Sequence, residues 1–141
     1  MKKRVLFLCT ANSSRSQMAE GIINHFFGDN LAAFSAGTQE SFVNPKAIEV
    51  MKEIGIDISK HQSKNLTAFD GQNFDYVITL CSSANETCPL YIGGTKKMHI
   101  GFDDPTKAHG SPEAILTKFR RVRDEMKEKL TSFFQAEKIM H

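Results

Sequence analysis

Cys9 and Arg15 stand six positions apart in the stretch Cys9-Thr10-Ala11-Asn12-Ser13-Ser14-Arg15-Ser16. An apolar run, Val5-Leu6-Phe7-Leu8, precedes it, and a helical pattern, Gln17-Met18-Ala19-Glu20-Gly21-Ile22-Ile23, follows. A strand that passes through a short polar loop into a helix makes an anion cradle, because loop N–H groups turn inward and the helix N-terminus adds partial positive charge. Arg15 can grip two oxygens of a tetrahedral oxyanion in fork geometry. Cys9 lies at the base, where the same positive field favours thiolate over thiol. Thr10, Ala11, Asn12, Ser13, Ser14 and Ser16 complete the oxyanion-binding loop. Asn12 tolerates a left-handed backbone there. The Ser16 hydroxyl either contacts the thiolate or caps the helix. The chemistry expected is nucleophilic attack on phosphorus or on an atom with phosphate-like geometry.

Two further cysteines, Cys81 and Cys88, are seven positions apart and Pro89 follows. The polar segment between them lets the thiols pair if their Cα atoms approach to about 5.5–6 Å. A relay is then conceivable: Cys81 attacks an adduct on Cys9, and Cys88 attacks the resulting Cys9–Cys81 disulfide. Inert buried cysteines and a zinc site are the competing readings. An oxyanion that loses an oxygen to Cys9 needs a proton donor on the opposite side. Asp104, in Asp103-Asp104-Pro105, is the candidate; a plain Asp-Pro turn is the alternative. Glu20 and Lys64 read as solvated surface. His25, His61, His99, His109 and His141 show no ligand spacing and read as ordinary surface or half-buried residues.

These groups need a frame. Residues 5–9, 32–36, 76–80 and 97–102 read as strands. Residues 16–27 and 45–54 read as helices, and Pro112 opens a long last helix with Ile115, Leu116, Phe119, Val122, Met126, Leu130 and Phe133 as its apolar stripe. Alternating strands and helices predict a parallel α/β sheet covered on both faces. Ligands bind such sheets beyond the carboxyl ends of the strands, where Cys9, Cys81 and Asp104 all fall.

A length of 141 residues suits one domain over residues 1–141. A net charge of +2 is too small and too scattered to argue for nucleic acid. The apolar run after the basic start is too short for a signal peptide, and no stretch approaches a membrane span. The expected location is cytoplasmic, where thiols stay reduced and three cysteines point to catalysis, redox work or metal rather than a disulfide framework.

Cys9-x5-Arg15-Ser16, Gln17-Met18-Ala19-Glu20-Gly21 and Asp104-Pro105 resemble the low-molecular-weight protein tyrosine phosphatases. Ser35-Ala36-Gly37, Gly55-Ile56-Asp57-Ile58-Ser59, Thr79-Leu80-Cys81, Cys88-Pro89, Gly101-Phe102-Asp103-Asp104-Pro105 and Arg121-Val122-Arg123-Asp124-Glu125 are similar to one branch, the thioredoxin-coupled arsenate reductases. The resemblance spans essentially the whole chain. It implies a flavodoxin-like fold with a four-stranded parallel sheet and helices on both faces. It also implies a sequence of steps. Cys9 attacks arsenate held by Arg15 and the loop amides, and Asp104 protonates the departing oxygen. Cys81 attacks Cys9 and releases arsenite, and Cys88 closes a Cys81–Cys88 disulfide that thioredoxin reduces. No bound cofactor or metal is expected, phosphate and sulfate are competing oxyanions, and the protein is expected to be a monomer.

The chain departs from that pattern twice. Ser14 stands where the family often has a further cysteine. Some relatives bind potassium through positions matching Asn12, Glu20, Ser35 and an aspartate, which is Lys64 here; a lysine ammonium there is expected to satisfy Glu20 directly. The alternative enzyme is a phosphatase for phosphotyrosine or small phosphate esters, although Asp104-Pro105-Thr106 lacks an aromatic residue to embrace a tyrosine ring. A non-enzymatic thiol sensor would need neither Arg15 nor Asp104.

Overall fold

The computed structural model describes residues 2–39, 41–81 and 94–139. Cys88 lies outside the described residues. Four strands, β1 (Lys3–Cys9), β2 (Leu31–Gly37), β3 (Phe74–Thr79) and β4 (Gly94–His99), form a parallel sheet in the order β2-β1-β3-β4. β1 is central, and Val5, Leu6, Phe7 and Leu8 are all fully buried. That explains a continuous apolar run rather than an alternating one.

Among the described residues three helices, α1 (Arg15–Phe26), α2 (Pro45–Lys52) and α3 (Pro112–Ala136), share one core with one face of the sheet. Val5, Phe7, Tyr76 and Ile78 meet Met18, Ile22, Val50, Met51, Phe119, Val122, Met126 and Leu130 there. On the other face Leu6, Leu8, Phe74 and Val77 pack with Phe69 of a short 3-10 helix, Leu66–Phe69. Arg4 closes the lower end of this second core with its guanidinium 4.4 Å above the Phe74 ring.

Local signals explain where the helices start. The Asn44 side chain accepts from the Lys46 N–H at 2.8 Å, ahead of Pro45, and Ser111 accepts from Ala114 ahead of Pro112. α2 and α3 are clamped by Glu53, which takes Arg120 at 2.9 Å and Arg123 at 2.8 Å. The Arg120 hydrogen bond is the main cause that holds the Glu53 carboxyl below the usual range.

The element boundaries differ in detail from the sequence reading. β4 starts three residues earlier than expected, at Gly94. The expected continuation through Phe102 survives as hydrogen bonding, since the Ile100 and Phe102 N–H groups donate to Thr79 and Leu80 carbonyls. In the last turns of α3 the buried aromatic is Phe134, against Phe27 and Tyr76, while Phe133 is only partly buried.

Gly37 links this frame to the loop that follows β1. It pairs with Cys9 in register, and a Cβ there would lie 2.5 Å from the Thr10 carbonyl oxygen and 2.9 Å from the Asn12 nitrogen. Backbone cannot yield as a side-chain tip can. Gly37→Ala is expected to lower the urea midpoint by the equivalent of about 1–3 kcal/mol. An unchanged midpoint would mean that β2 does not brace the loop.

Candidate active site

The loop from Cys9 to Arg15 is held by its carbonyls. Thr10 O accepts from Gln39 N at 3.1 Å and Thr38 Oγ1 at 3.2 Å. Ala11 O accepts from Ser63 Oγ, Asn12 O from Gln17 Nε2, and Ser13 O from Asn44 N. In a trans peptide the carbonyl and the next N–H point opposite ways. Four carbonyls pinned to the surroundings therefore turn the N–H groups of Ala11, Asn12, Ser13 and Ser14 to the loop's interior. Asn12 makes the turn possible with φ of 49°, a left-handed conformation that asparagine tolerates. The first turn of α1 adds the positive end of its helix dipole.

Cys9 is buried, and its sulfur lies 2.8 Å from Ser16 Oγ. The direction of that contact follows from its neighbour. Asn12 Nδ2 donates to Ser16 Oγ at 2.7 Å, which leaves the serine hydrogen to point at the sulfur. α1 begins at Arg15, so Ser16 sits inside the helix rather than capping it. Ser14 occupies the cap position without capping, and its buried hydroxyl has no partner among the described residues.

Arg15 is buried. Its Nη1 donates to Phe102 O at 3.3 Å and to Leu80 O at 3.4 Å, and its Nη2 lies 3.5 Å from Asp104 Oδ2. The arginine thus joins the segments after β1, β3 and β4. Cys81, buried, directly follows Leu80, whose N–H donates to Leu8 O. Cys9 and Cys81 therefore leave neighbouring parallel strands at the same end. The two aspartates separate clearly. Asp103 pairs with Lys118 at 3.1 Å and Arg121 at 2.8 Å, and the Lys118 bond leads in holding its carboxyl below the usual range. Asp104 alone turns toward Arg15.

Glu20, Lys64 and His61 depart from the sequence reading. Lys64 Nζ donates to Gln62 O at 2.8 Å and does not reach Glu20. Glu20 instead accepts from Ser35 Oγ at 2.8 Å and faces His61 Nδ1 at 3.3 Å. Asn12 Oδ1 is taken by Gln17 Nε2 at 2.9 Å and by the Lys64 backbone N–H at 2.7 Å. Asn12 Oδ1 and the Glu20 carboxylate hold partners within the protein, and Lys64 offers no side-chain oxygen where the relatives have an aspartate, so these residues do not fit the ion. Gln17, known from the sequence only as part of a motif, and His61, read there as an ordinary surface or half-buried histidine, are supporting residues of the loop. They touch at 3.1 Å, and nothing in their spacing announces it.

Residues 4–140 match the family profile of the low molecular weight phosphotyrosine protein phosphatases. An arsenate reductase of Halalkalibacterium halodurans is 45% identical over 137 residues, 97% of this chain and 99% of that protein. A solved arsenate reductase in the phosphate binding state superposes with a TM-score of 0.77 at 32% identity, covering 99% of both chains. A thioredoxin-dependent arsenate reductase of Corynebacterium glutamicum superposes with a TM-score of 0.64 at 26% identity, over 96% of this chain and 63% of that one.

Two outcomes follow from the geometry. In a chain whose Cys81 and Cys88 are serine, Ser16→Ala should slow alkylation of Cys9 by iodoacetamide about tenfold at neutral pH, the loss of one hydrogen bond to a charged sulfur. An unchanged rate would mean that Ser16 does not hold the thiolate. Melting temperatures in potassium and sodium chloride at equal ionic strength should agree within about 1 °C, because Lys64 supplies no oxygen ligand and Glu20 and Asn12 already hold protein partners. A potassium-specific rise of about 5 °C or more would restore the cation site.

Proposed function

The chain belongs to the low molecular weight phosphotyrosine protein phosphatase family, and from that premise we propose that it reduces arsenate to arsenite through a three-thiol relay regenerated by thioredoxin. The observation that carries this reading is the second buried thiol, Cys81, beside Leu80, whose carbonyl Arg15 engages. A phosphatase resolves its covalent adduct with water and has no use for a thiol there. Relatives called arsenate reductases match nearly the whole chain and support the same reading.

The steps balance. The Cys9 thiolate attacks arsenic in the cradle of loop amides and the Arg15 guanidinium, and an oxygen leaves as water or hydroxide with a proton from Asp104. The Cys81 thiolate then attacks the Cys9 sulfur. A disulfide forms, the S–As bond breaks, and its electron pair stays on arsenic, which departs as arsenite. Cys88 attacks Cys81, freeing the Cys9 thiolate and leaving a Cys81–Cys88 disulfide. The dithiol of thioredoxin supplies the two electrons that reopen it.

Cys9→Ser should abolish arsenite formation, because a serine hydroxyl stays protonated where a thiolate is needed. Cys81→Ser and Cys88→Ser should each stop multiple turnover with thioredoxin, thioredoxin reductase and NADPH. Both should keep whatever hydrolysis of an aryl phosphate the wild type shows. Continued thioredoxin-driven arsenite production in both variants would defeat the relay.

A further inference from the structure

Asp104 has two carboxylate oxygens in unlike surroundings. Oδ1 accepts from the Thr106 backbone N–H at 3.0 Å and from the Thr106 hydroxyl at 2.6 Å. Oδ2 faces Arg15 Nη2 at 3.5 Å. The backbone contact alone caps the short 3-10 helix Pro105–Lys107. The hydroxyl is a second donor that the cap does not require. Both donors come from one residue on a turn stiffened by Pro105, whose φ is restricted.

We propose that Thr106 is a positioning residue for the acid: its two donors occupy Oδ1, so the proton to be transferred resides on Oδ2, the oxygen turned toward Arg15 and the substrate loop. The inference rests on the reading of Asp104 as the proton donor. As the bond to the leaving oxygen breaks, its electron pair goes to that oxygen, which takes the proton from Oδ2. The carboxylate left behind carries new negative charge, and the Thr106 donors already stand against it. Donors in place before charge develops need no reorganisation during the reaction. Charge also strengthens their hydrogen bonds.

The test compares two aryl phosphates through kcat/KM, which reports the steps up to departure of the leaving group. p-Nitrophenyl phosphate releases a stable phenolate and needs little protonation, whereas phenyl phosphate depends on it. Thr106→Ala should lower kcat/KM for phenyl phosphate roughly tenfold and for p-nitrophenyl phosphate by less than about threefold. Thr106→Ser should restore most of the loss, since it returns the hydroxyl. Asp104→Asn, measured alongside, should show the same leaving-group dependence in larger measure. Equal losses on both substrates in Thr106→Ala, or no loss, would overturn the role of Thr106 while Asp104→Asn still behaves as an acid variant. No leaving-group dependence in Asp104→Asn, or no hydrolysis by the wild type, would remove the acid reading and this inference with it.

Discussion

Peptide planarity sets the condition on which the site depends. A loop can present a row of N–H groups to an anion only if the carbonyls of the same peptides have partners on the outside. Here Gln39, Thr38, Ser63 and Asn44 supply those partners from segments that leave β2, open α2 and precede the 3-10 helix Leu66–Phe69, and Gln17 supplies one from α1 itself. The sheet order brings them within reach, because β2 lies beside β1 in a register that ends with Cys9 against Gly37. Glycine at that point lets the backbones touch.

The buried polar groups follow the same logic. Asn12, Arg15, Ser16, Gln17 and Ser35 are all buried, and each would be costly without hydrogen bonds. Asn12 links to Ser16, Gln17 and Lys64, so its side chain binds the loop to α1 and to the chain after α2. Arg15 finds carbonyls at the ends of the neighbouring strands. Those carbonyls hold the guanidinium, so its position does not rely on the Asp104 carboxylate alone. The acid is thereby left to be oriented from its own side, by Thr106.

Much of this was legible in the sequence. Apolar and β-branched runs marked β1 and β3, Pro45 and Pro112 marked two helix starts, and the spacing from Cys9 to Arg15 announced the loop. What escaped depends on contacts between distant segments. His61 meets Gln17 across 44 positions, and no local pattern records such a meeting. The Lys64 backbone N–H donates to Asn12, but its ammonium turns to Gln62 instead of the expected Glu20. A residue's register can be read from a motif; the direction of a long flexible side chain cannot. The early start of β4 has a similar cause, since Gly94 to Lys97 gain their strand character only by pairing with β3.

Cys9 ends β1, Cys81 lies two residues beyond β3, and both are buried; a two-electron reduction needs those thiols to act in order. The most direct measurement is peptide mapping after the fully reduced chain meets one equivalent of arsenate without any reductant. The account predicts one equivalent of arsenite, a Cys81–Cys88 disulfide and a free Cys9 thiol. Three free thiols and unreduced arsenate would contradict it.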